Sequence, residues 1–187
     1  ADLSVMILRD SSSPSQAFGP LITSSKRQLK NFVGCRAMIE PGEYVVVTFA
    51  FNIWTLSTKQ PDERCNYVMS IHSSKALLVE EIFTKTKKYE YAMADAICQL
   101  TISNGQREGI RDTVTVYSLM QGWSGGVYVV ENRSPDRSLH VQCDCKDSTN
   151  VVSTRGSLMT VDSVPPLHRQ VIMILTQLER TAPFHVS

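Results

Sequence analysis

Five cysteines and four histidines are the side chains best suited to nucleophilic or metal chemistry here: Cys35, Cys65, Cys98, Cys143 and Cys145, with His72, His140, His168 and His185. A thiol hydrolase needs a cysteine, a histidine and an orienting Asn or Asp brought together. No cysteine has the Gly-rich, aromatic surroundings of a papain-type nucleophile, and no H-E-x-x-H or helical His pair offers a metal-assisted route. The tightest pair is Cys143-Asp144-Cys145. A C-x-C without a second pair does not make a tetrahedral zinc site, which needs four ligands. Leu139, Val141, Cys143 and Cys145 share one parity and His140 the other. A strand therefore points both thiols to the core and His140 away from them.

Hard cations want several carboxylate oxygens together. Asp136, Asp144, Asp147 and Asp162 are single acids beside Arg137 and Lys146, and no EF-hand loop exists. Gly122, Gly125 and Gly126 fit neither G-x-G-x-x-G nor a P-loop, so they read as turn glycines. No cofactor and no metal site is expected. The interaction candidates are Trp54 and Trp123, in or beside loops, and the basic residues Lys26, Arg27 and Lys30. An exposed Trp anchors partners, while a short charge run is most often a solvated surface.

The elements that must position these residues are mostly short strands. The chain has 187 residues, 42% apolar and 20% charged, enough for one domain or two small ones with a real core. A net charge of +1 argues against a nucleic-acid binder relying on bulk positive field. No run approaches the roughly 20 apolar residues of a membrane helix, and the N-terminus has no signal-peptide pattern. Ala1 in place of Met points to a processed chain or a cut from something larger. The scattered, odd cysteine set reads as reduced thiols in the cytoplasm.

Strand patterns occur at Leu3 to Leu8, Phe32 to Ile39, Tyr44 to Phe51, Tyr67 to His72, Ala76 to Ile82, Thr113 to Met120, Val127 to Glu131, Leu139 to Cys145, Val151-Val152, Leu158 to Val161 and Val171 to Leu178. Pro41-Gly42 suits a type II turn closing a hairpin between residues 32–39 and 44–51. The second of these strands reads as buried on both faces. Tyr89, Met93, Ala96, Ile97 and Leu100 form a helical stripe that Asn104-Gly105 ends. Residues 103–112 read as a polar connection. The expected fold is mainly β: a β-sandwich-like N-terminal lobe over residues 1–84, a helix and linker over 85–112, and a second β-rich lobe over 113–187, with one shared core as the other arrangement.

Glu40-Pro41-Gly42-Glu43-Tyr44-Val45-Val46-Val47 resembles calpains, where such a segment belongs to the calpain-type β-sandwich after the protease core. The likeness runs over roughly residues 2–82. It takes in Leu3-Ser4-Val5-Met6-Ile7-Leu8 and Tyr67-Val68-Met69-Ser70-Ile71-His72-Ser73-Ser74-Lys75. Three later segments are similar to the C-terminal homology region of small-optic-lobes (calpain-15-like) calpains. They are Ser138 to Cys145, Asn150 to Leu158 and Asp162 to Val171. That subfamily joins N-terminal zinc fingers, a papain-like core and this homology domain. A stretch preceding Leu3 in the family sandwich has no counterpart here, nor do the catalytic motifs, the zinc-finger pairs or the penta-EF-hand module. No catalytic residue carries over.

The resemblance implies a non-catalytic regulatory or protein-interaction module of an intracellular cysteine endopeptidase. Its partners would be the protease core and a protein substrate or adaptor. The competing expectation is a C2-like module binding calcium or anionic lipid through Lys26, Arg27, Lys30 and Lys85 to Lys88. An independent thiol hydrolase is the third.

Overall fold

In a computed structural model the chain is mainly β, with eleven strands in three sheets and one helix among the described residues. The described residues are 2–11, 18–26, 28, 29, 31–51, 67–82, 91–120, 124–179 and 181–187. The strands are β1 (Asp2–Asp10), β2 (Phe18–Ser24), β3 (Gln28–Leu29), β4 (Tyr44–Ala50), β5 (Gln106–Arg111), β6 (Val114–Leu119), β7 (Gly125–Asn132), β8 (Leu139–Asp144), β9 (Val151–Ser153), β10 (Met159–Val164) and β11 (His168–Gln177). The helix, α1, spans Ala92–Asn104.

The central layer is an antiparallel five-stranded sheet in the order β5-β6-β7-β11-β9. Its alternating side chains feed two different cores, as the period of two requires. Tyr117, Leu119, Val127 and Val129 point to one face. There they meet Ala92, Ala96, Ile97, Cys98 and Leu100 of α1 and the inner residues of the first sheet. That first sheet pairs β1 with β2 and β3 on one side and with β4 on the other. It contributes Met6, Leu8, Phe18, Val45, Val47 and Phe49. On the opposite face of the central sheet, Val114, Val130 and Ile172 pack against the β8-β10 pair, and Met173 and Leu175 pack against Cys145 and the C-terminal residues Phe184 and Val186.

A bulge in β11 permits this double use. Val171 pairs with Val129 and Met173 with Tyr128, so Ile172 is the extra residue. It lets Ile172 and Met173, neighbours in sequence, both serve the same side of the sheet.

Five sequence expectations are corrected. Residues 32–39 form no strand, and β4 pairs with β1, Met6 opposite Val47 and Leu8 opposite Val45. Gly42 does not adopt a positive φ, which a type II turn would require of it. Strand β4 is not buried on both faces: Val45, Val47 and Phe49 are inside, while Val46, Thr48 and Ala50 are exposed. Residues 67–82 form no strand, and every one is exposed. Residues 106–111, expected as a connection, are strand β5 paired with β6.

The helix falls where the period changes, but Met93 of the expected stripe is exposed. Thr101 takes the inward place one turn on, its hydroxyl donating to the Ile97 carbonyl at 2.8 Å. Gly105 ends the helix for a different reason from a left-handed cap. Its φ is −86°, and a Cβ there would run into the carbonyl oxygens of Thr101 and Ser118.

Candidate functional site

An open cleft of about 470 Å³ lies between α1, the start of β2, the end of β7 and the start of β11. Helix residues Asp95, Cys98 and Gln99 form one wall, and Glu131, Arg133, His168 and Arg169 line the other. Sheet register creates the second wall. Glu131 and Arg169 stand directly opposite each other on β7 and β11.

Arg169 Nε donates to Glu131 Oε1 at 2.8 Å, and the Tyr117 hydroxyl donates to Glu131 Oε2 at 3.1 Å. Burial pushes the Glu131 carboxyl up, but the Arg169 hydrogen bond and charge and the Tyr117 hydroxyl outweigh it. The group sits below the usual carboxylate range. Tyr117 moves the opposite way, its phenol raised by burial and by its bond to Glu131. Asn132, the next residue of β7, turns to the other face of the sheet. Its Nδ2 donates to the carbonyls of Arg137, Val164 and Pro165, and its Oδ1 accepts from the Ser134 amide.

Cys98 is buried on α1, and burial first, then the neighbouring Asp95 charge, pushes its thiol up to about 12. The thiolate is the nucleophile, so this thiol is held in its unreactive form at neutral pH. His168 turns Nδ1 toward the Pro166 carbonyl at 2.6 Å. Arg133 gives one guanidinium nitrogen to the Asp112 carbonyl at 3.1 Å. The cleft therefore presents exposed cationic and amide donors at its rim above a satisfied ion pair. That arrangement suits holding a polar segment better than activating a nucleophile.

Of the sequence candidates, Lys26 is exposed just after β2. Arg27, Lys30, Trp54 and Trp123 lie outside the described residues, as do Lys85 to Lys88 and Cys65. Cys143 and Cys145 face inward from the β8 end, as their parity requires, as free thiols that share a hydrogen bond with Sγ atoms 3.8 Å apart. His140 is on the opposite, exposed face. The cleft residues were not legible in sequence. Glu131 and Arg169 are 38 positions apart, and single residues of ordinary type carry no local signal.

Three layers and a central antiparallel sheet with different cores on its two faces define a β-rich domain, with an open cleft at one end. Residues 100–187 match the family described as Calpain-D-like, C-terminal domain. This stretch covers the end of α1 and all of β5 to β11, and the match supports a calpain-type C-terminal domain there. No solved structure matches the chain. Among the described residues, no helix is long and apolar enough to cross a membrane.

Proposed function

We propose that this chain is a non-catalytic regulatory or protein-interaction module of a calpain-family cysteine endopeptidase. The observation that carries the reading is the match of residues 100–187 to a Calpain-D-like C-terminal domain. Proteolysis is then the activity of the whole protease, exercised in the cytoplasm, and this chain contributes contacts. Kinship to the small-optic-lobes-type calpains is the finer form of the proposal, supported by the segments Ser138 to Cys145 and Asp162 to Val171. So is a division into an N-terminal sandwich-like lobe and a C-terminal β-rich lobe.

The cleft supplies a physical means. Arg133 and His168 at the rim, with Gln99 on the helix wall, offer donors to a polar segment of the protease core or of an adaptor. Charge complementarity of this kind sets orientation and association rate. The test is calorimetric titration of this chain into a calpain-type protease core. One-to-one binding is expected, weakened by Arg133→Glu and by His168→Ala. Absence of binding to the core, with calcium-dependent binding to anionic vesicles, would overturn the module reading in favour of a C2-like one.

A further inference from the structure

The turn into β11 holds a leucine in a conformation that leucine does not favour. Leu167 has a φ of +57°, and its side chain is 70% exposed. A bulky apolar residue is strained in this left-handed backbone, which Gly or Asn adopts at lower cost. Several hydrogen bonds nevertheless fix the turn. The Leu167 amide donates to the Ser134 carbonyl at 3.1 Å, and Asn132 Nδ2 donates to the Val164 and Pro165 carbonyls. His168 Nδ1 lies 2.6 Å from the Pro166 carbonyl. Strained backbone persists where its surroundings over-determine it, and it clusters at binding and catalytic sites. Leu167 stands at the rim of the cleft, so the strain serves to present its side chain there.

The two walls of that cleft carry opposite charge. On the sheet wall, Arg169 commits Nε to Glu131, and Arg133 commits one guanidinium nitrogen to the Asp112 carbonyl. The remaining guanidinium donors of both residues are available to a ligand. On the helix wall, Asp95 makes no ion pair among the described residues. Burial alone raises its carboxyl, with no compensating cation. Asp95 and Arg169 shift the Cys98 thiol in opposite directions, which places both charges close to Cys98.

We propose that the cleft takes an extended segment of a protein partner that carries an acidic, an apolar and a basic side chain close together. The acid lies toward Arg133 and Arg169, the apolar residue against Leu167 and the base toward Asp95. This rests on the reading of the chain as an interaction module and names the chemistry of its partner. A purely acidic segment would repel Asp95, and a purely basic one would repel the two arginines, so mixed charge suits both walls. The volume of about 470 Å³ falls in the range of ligand sites, roughly 300–1,000 Å³.

The test is titration of the whole ¹⁵N-labelled chain with millimolar blocked tripeptides, read by amide shifts. The probes are Glu-Leu-Lys, its reverse, and the versions with Gln replacing the acid, the base or both. A mixed-charge peptide is expected to shift amides of α1 and of residues 133, 134 and 167–169. Each neutral replacement should weaken binding about 10-fold, the worth of one charge-assisted hydrogen bond. Asp95→Asn should remove the preference for lysine alone, and Arg133→Gln the preference for glutamate alone. Leu167→Gly should weaken every peptide while its urea midpoint stays at or above that of wild type, because glycine relieves the left-handed strain.

Equal affinity for all the peptides, or no shift at the cleft amides, would overturn the proposal. So would a Leu167→Gly chain that loses stability yet keeps its peptide affinity. Calorimetry with a calpain-type protease core separates this inference from the module reading. Core binding that the mixed-charge peptide fails to displace overturns the inference and leaves the module reading standing. Peptide binding without core binding does the reverse.

Discussion

Glu131 and Arg169 are direct cross-strand partners on β7 and β11, joined at 2.8 Å, and they tie the central sheet to the cleft that α1 covers. The carboxylate is nearly buried while the Arg169 side chain is 48% exposed, so the charged bond sits at the border of core and solvent. Glu131→Gln is expected to lower stability by about 1–3 kcal/mol, the range for a charged hydrogen bond. Urea unfolding at neutral pH measures it.

The same carboxylate sets an acid limb. Its folded pKa lies below the ordinary value, so its contribution is complete above the usual Glu range near 4.3. That contribution is lost as pH falls through the lower, folded value. Between about pH 5 and 3 the wild-type chain should lose stability more steeply than Glu131→Gln. Parallel slopes of the two proteins in that window would show that Glu131 is not the group responsible.

Asn132 concentrates three carbonyl partners on one amide. Asn132→Ala leaves at least the buried Val164 carbonyl bond unmade and is expected to cost about 2–3 kcal/mol. Because those carbonyls end the 133–138 loop and begin the β10–β11 turn, hydrogen exchange should rise locally at both places. A variant as stable as wild type would show that Asn132 does not anchor these two connections.

Much of the fold was readable because buried strands alternate. Strands β1, β4, β6, β7, β8, β10 and β11 and helix α1 all overlap segments that the sequence pattern marks, most of them running a few residues beyond it. Where exposure breaks the alternation, pattern fails. Strand β5 is exposed at all six positions, so its edge role leaves no apolar signal. Residues 32–39 and 67–82 show the converse, with apolar content suited to strands but no strand pairing among the described residues. Parity did place Cys143 and Cys145 inward. It could not reveal Thr160 opposite them, because register between β8 and β10 is a property of the ladder.

Gly125 is a second place where local chemistry decides. It holds φ at +136°, and a Cβ there would strike the Leu175 carbonyl across the ladder. Gly125→Ala should destabilise by more than about 2 kcal/mol, since both strain and the β7-β11 contact are affected. Gly156 also has a positive φ, +75°, but open space around it. Gly156→Ala should cost only about 1 kcal/mol, near the left-handed penalty alone. Equal losses in thermal unfolding would refute this distinction.

The central proposal, that this chain serves a calpain-type protease without catalysing, is tested most directly by peptide cleavage. The purified chain and a calpain-type protease core are assayed separately and together on a fluorogenic peptide. The account predicts no turnover by the chain alone, in keeping with a Cys98 thiol raised to about 12, and a change in the core's rate when the chain is added. Turnover by the chain alone that disappears on Cys98→Ala, or on replacing any other of its five cysteines, would contradict it.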